Sequence, residues 1–166
     1  MTVSLNARLD EQVTPIVAAA GLLLTSTLGD TKYVSMKGYR KCQIVIVMAD
    51  GTTVTGSTIT LKQATAVAGT NEKALAFSTV YKNVDLSANQ TLTATAVTSN
   101  TFDTQAVNSK DSIYIIDLDA DQLDVAGGFD CFRVDGTGHA ATSGRGSVVL
   151  YNMYGARYSG VSPVVD

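Results

Sequence analysis

The chain has 166 residues, 45% of them hydrophobic, and a formal net charge of −3. That length suits one domain with a real core, and so small a net charge lacks the basic footprint of nucleic-acid binding. Charged residues make up only 16% of the chain, against about 25% in an average globular domain, which leaves Thr, Ser, Asn and Gly to cover the surface.

Residues 1–24 read as an N-terminal arm. "LNARLDEQV" has moderate helical propensity, which Pro15 breaks. The run Ile16–Leu24, "IVAAAGLLL", is apolar without a strand or helix period. At nine residues it is too short for a membrane helix, which needs about 20. The N-terminus also lacks a secretory pattern, so a soluble chain is expected. An apolar stretch with no period predicts an arm that a partner covers.

From residue 25 onward the pattern is β. In "YVSMKGYRKCQIVIVMADG", Cys42, Ile44, Ile46 and Met48 share one face and Gln43, Val45 and Val47 the other. Both faces are largely apolar, which predicts a central strand covered on both sides. "STITLKQAT" alternates, "AVAGTNEKA" is a polar turn, and "ALAFSTVYKNV" and the Thr-rich "ANQTLTATAVTSNTF" give further strands. "KDSIYIIDLD", "GFDCFRVDG" and "GSVVLYNMYGARY" complete the set. About eight short strands with regular turn signals predict an all-β fold: a single β-sandwich, jelly-roll or immunoglobulin-like, over residues 25–166.

"DLDADQLD" places Asp117, Asp119, Asp121 and Asp124 within eight positions. A calcium loop of EF-hand type needs Gly at its sixth position and Glu at its twelfth; here these are Gln122 and Gly128. A looser site could use Asp119, Asp121 and Asp124, and a catalytic pair would need two carboxylates facing each other across a cleft. The capping reading explains more. Asp119 is placed to start a helical turn, Gln122 to complete a capping box, and Gly127-Gly128 to end it. No catalytic, cofactor-binding or metal-ligating residue is therefore expected, and no cofactor.

The other candidates are weak as sites. Cys42 and Cys131 lie in apolar strand runs and read as buried thiols, with an inter-strand disulfide left open. His139, the single histidine, sits in a Gly-rich loop without a nucleophile or acid beside it. Gly138 and Gly144 enclose five residues and Arg145 follows, so the loop is not a P-loop. Asn89 opens an "NQT" sequon, which matters only on a eukaryotic secretory path. Residues 1–83 hold eight basic and five acidic residues, or +3; residues 84–166 hold four and ten, or −6. The halves therefore face each other within one domain or between subunits.

"YVSMKGYRKCQIVI", "TITLKQATAVAGT", "IYIIDLDADQLDVAGGFDCFRV" and "YNMYGARY" together resemble small β-sandwich virion proteins of tailed bacteriophages, of the capsid decoration, cement or minor head type. The resemblance spans about residues 30–158. It implies a non-enzymatic, homo-oligomeric protein that packs against the major capsid protein or other virion proteins. Its place would be the virion, assembled in the bacterial cytoplasm, without nucleic-acid or membrane contact. The alternative is a carbohydrate- or receptor-binding module of a phage fibre or spike; Trp is absent, but seven Tyr remain to contact a sugar.

Overall fold

A computed structural model describes residues 13–23, 31–49, 56–104, 110–136 and 146–156. Eleven strands and two single 3-10 turns account for the regular structure of this part. The principal strands are β1 (Val13–Leu23), β3 (Lys41–Met48), β4 (Thr58–Ala64), β6 (Thr79–Asn83), β9 (Ser112–Asp119), β10 (Cys131–Gly136) and β11 (Gly146–Tyr154). Shorter ones are β2 (Val34–Ser35), β5 (Lys73–Ala74), β7 (Thr93–Ala96) and β8 (Thr101–Asp103). No helix among the described residues is long and apolar enough to cross a membrane.

The strands form two antiparallel sheets, as the all-β sandwich reading expects. One has six strands in the order β1-β11-β3-β9-β6-β7; the other runs β2-β10-β4-β5, with β8 also paired to β4. The expected count of about eight strands is exceeded mainly by pieces of two or three residues, which are too short to show a period.

Alternation decides what fills the space between the sheets. Cys42, Ile44, Ile46 and Met48 of β3 are buried, and so are Tyr114, Ile116 and Leu118 of β9 and Val149, Tyr151 and Met153 of β11. Ile59 and Leu61 of β4 meet them from the facing sheet, together with Phe132 and Val134 of β10. A polar link crosses this core. The Val134 N–H donates to Tyr151 Oη at 2.9 Å, and Thr31 Oγ1 donates to the Val134 carbonyl at 2.6 Å. The neighbouring strand β2 pairs only with Cys131 and Phe132. Thr31 and Tyr151 thus serve the backbone of β10 where its strand partner stops, which buried amides and carbonyls require.

Two expectations change. First, Val13–Leu23 of the expected arm is not without a strand. It is β1, the edge of the six-stranded sheet, paired antiparallel with β11 from Val13↔Tyr154 to Leu23↔Gly146. Ile16 and Ala18 pack against the core, while Val17 points away and is 62% exposed. Register shifts between Val17 and Ala19 and between Ala20 and Leu22 break the alternation. A bulge reverses the in–out order of every residue after it, so no period of two survives in the sequence. Pro15 is tolerated because β1 is an edge strand. Residues 1–12 and residue 24 of the arm lie outside the described residues. Second, β3 is central, and its two sides differ: one is buried in the core and the other is half-buried. Among the described residues no strand or turn packs on the side that carries Gln43, Val45 and Val47.

Candidate functional site

The four aspartates are not gathered on a common point. Asp117 projects from the exposed side of β9, where Gln43 Nε2 donates to it at 3.4 Å. Asp119 forms an ion pair with Lys41 at 3.1 Å. It also precedes the first 3-10 turn, Ala120–Gln122, and its backbone N–H donates to Gln122 Oε1 at 2.8 Å. Asp121 is exposed in that turn. Asp124 caps the second turn, Val125–Gly127, by accepting from the Gly127 N–H at 3.0 Å, and it pairs with Lys73. Lys73 and the Gly127 amide together hold its carboxyl below the usual range. Gly128 ends the turn with φ +81°, a conformation open to glycine. The capping reading thus describes the segment, as two 3-10 turns rather than one: Asp119 and Gln122 form the expected capping box at the first, and Asp124 caps the second. Among the described residues no group of three or more His, Cys, Asp or Glu could hold a metal ion.

A denser charge cluster escapes a reading of the sequence because its members are far apart in the chain. β4 and β10 place Lys62 directly opposite Arg133, a like-charge pair that would destabilise the sheet if left alone. Glu72 and Asp135 neutralise it. Lys62 Nζ lies 2.6 Å from Glu72 and 2.8 Å from Asp135; Arg133 lies 2.8 Å from Glu72 and 3.0 Å from Asp135. Tyr33 Oη donates to Glu72 at 2.6 Å, and the Arg133 guanidinium stacks 4.8 Å from the Tyr33 ring centre. Hydrogen bonds from Lys62 and then Tyr33 lower the Glu72 pKa, while burial followed by the Glu72 bond raises that of Tyr33. Gly69, at φ +79°, leaves room for that ring, since a Cβ there would stand 3.0 Å from it.

Tyr33, Glu72 and Arg133 of this cluster line an open cavity of about 580 Å³, walled by Ile16, Ala18, Val34 and Val67. Two cations and two anions satisfy one another within the cluster. The arrangement ties β4 and β10 together, and Lys32 adds an exposed cation to the cavity lining.

The outer side of the six-stranded sheet has a different character. Val17, Leu150, Val45, Ile115, Tyr81 and Ala94 form one row, each aligned with the next across all six strands. Val148, Val47 and Ile113 form a parallel row beside it. Toward the other end, the face turns polar through Asn152, Gln43 and Asp117, then Tyr154, Lys41 and Asp119. Val17 and Ala94 are exposed, while Leu150, Val45, Ile115, Val148, Val47 and Ile113 are half-buried. Tyr81 is 39% exposed.

The chain matches no family model, no curated protein and no solved structure.

The remaining sequence candidates are soon placed. Cys42 and Cys131 are free and buried, on the facing sheets; burial, and then Asp117, pushes the Cys42 thiol well up, away from reactivity. Asn89 is exposed, and its side-chain oxygen accepts from the Thr91 N–H at 3.0 Å, closing a local turn. His139 and the Gly138–Gly144 loop lie outside the described residues. The outer row escaped notice as a surface because only β3 showed its two apolar faces clearly. The pairing that joins Val45 to Leu150 and Ile115 is long-range and leaves no local signal.

Proposed function

We propose that the chain is a structural virion protein of a tailed bacteriophage, of the capsid decoration, cement or minor head type, acting by packing rather than by chemistry. One observation carries this reading: the apolar outer face of the six-stranded sheet spans all six strands, and no described element covers it. An apolar patch of that extent marks an interaction surface. The charged groups support the same reading, because the Lys62, Glu72, Arg133 and Asp135 cluster is spent within the fold. The resemblance to small β-sandwich virion proteins supplies the type of partner, a major capsid protein or neighbouring copies. The reading is tested by co-sedimentation of the purified chain with capsids of the phage whose genome encodes it. Saturable binding at a fixed stoichiometry is expected. A chain that ignores capsids and instead binds a glycan or host-surface preparation points to the fibre or spike module.

A further inference from the structure

We propose that the outer face of the six-stranded sheet is the contact between two copies of this chain, packed sheet against sheet about a two-fold axis. The inference rests on the packing reading of that face and names its partner.

Size comes first. Six strands about 4.8 Å apart span about 29 Å, and four rows of outward residues about 6.8 Å apart span about 27 Å. The face therefore offers about 800 Å², which is what each partner contributes to a stable interface of ordinary size. The face is divided along the strands, aliphatic over the rows of Val45 and Val47 and polar over those of Gln43 and Lys41.

Charge comes second. The middle of the six strands falls between β3 and β9. An axis there, parallel to the strands, exchanges β3 with β9, β11 with β6 and β1 with β7 between the copies. Lys41 on β3 and Asp119 on β9 occupy the same row. The axis lays the Lys41–Asp119 pair, closed at 3.1 Å within each chain, over that of the second copy in the opposite sense, so that no like charges are opposed. It also lays Val45 over Ile115, Leu150 over Tyr81, and Val17 over Ala94. Sheets packed face to face cross at only about 30°, so residues on the two central strands stay near their symmetry mates. A self-complementary patch of this kind is what a two-fold contact requires.

The test is light scattering of the full chain, alone, over a range of concentrations. The expected mass is twice the chain mass of 17.4 kDa. V17E and Y81E together place charge on two exposed positions of the face, where folding does not need the native side chains. This variant is expected to keep the wild-type circular dichroism and melting temperature while its dimer dissociation constant rises at least tenfold. V125E, at a residue that is 60% exposed and off the face, is the control and should leave the dimer intact. A wild-type chain that is monomeric throughout overturns the proposal, whether the face then belongs to the capsid or to the chain's own residues. A dimer that survives the V17E/Y81E substitutions overturns it as well. Co-sedimentation separates the two ideas: a monomer that binds capsids ends the dimer proposal alone, and a dimer that ignores capsids ends the virion reading alone.

Discussion

At the scale of single residues, the polar crossing of the core is the most exacting feature. The Val134 N–H is shared between Tyr151 Oη at 2.9 Å and Thr31 Oγ1 at 3.1 Å, while Thr31 alone serves the Val134 carbonyl. Both side chains are buried, and the two oxygens are 2.7 Å apart. Tyr151→Phe removes one of two acceptors and should cost about 1 kcal/mol, the net worth of an ordinary hydrogen bond. Thr31→Val leaves a buried carbonyl unserved and should cost about 1–3 kcal/mol. In the double variant the losses should fail to add by more than about 0.5 kcal/mol, because the groups share a partner. Urea unfolding of the four proteins measures this, and strictly additive losses would show that the two hydroxyls act separately. None of it was legible in the sequence, where Thr31 and Tyr151 are separated by 120 positions. The aspartate segment was legible in part, because caps and turns are local. What the local pattern missed was the second turn, Val125–Gly127, which Asp124 caps, and the ion pair between Lys41 and Asp119.

At the scale of elements, legibility followed regularity. β3 alternates without a break, and its inner set Cys42, Ile44, Ile46 and Met48 can be read directly from the sequence. β9 and β11 alternate as well, buried against half-buried. β1 does not, because two register shifts scramble its order and its side chains are small. An arm and a bulged edge strand therefore look alike in sequence but differ in consequence. If β1 belongs to the sheet, deleting residues 1–24 strips nine register pairs from β11 and uncovers core side chains behind Ile16 and Ala18. Cross-strand pairs contribute about 0.2–1 kcal/mol each, and burying an Ile adds up to about 3 kcal/mol. The truncated chain should lose more than about 3 kcal/mol and tend to aggregate through the freed edge of β11. Deleting only residues 1–12 keeps β1 and should preserve a cooperative thermal transition. A Δ1–24 chain that melts like the full one would return Val13–Leu23 to the status of a removable arm.

At the scale of the whole molecule, the opposite charges of the two halves meet inside one domain. Lys41 reaches Asp119, Lys62 reaches Asp135, Lys73 reaches Asp124, and Arg133 reaches back to Glu72. These pairings give stability a definite pH profile. Three carboxyls titrate below their ordinary range when folded: Glu72, held first by Lys62; Asp124, held first by Lys73; and Asp85, brought down to about 2 first by Lys110. In the unfolded chain these groups titrate near 4. Between those limits the unfolded state binds more protons than the native one, so stability falls as pH falls. On the alkaline side the sign reverses in origin but not in effect. Burial raises Cys42, Tyr33 and Tyr151 in the folded state. Once pH passes the unfolded values, near 8.5 for Cys and 10 for Tyr, the native state holds the extra protons and rising pH favours unfolding. Lys62, raised first by its hydrogen bond to Asp135, adds to this limb, since its stabilisation is full below its unfolded value near 10.4 and fades above it. The urea midpoint should be level from about pH 5 to about 8, decline below about 4.5 and decline again above about 8.5. Asp85→Asn should lessen the acid decline and leave the alkaline one as it was. A midpoint that holds steady down to pH 3 would mean that the partners of Glu72, Asp124 and Asp85 contribute nothing to folding.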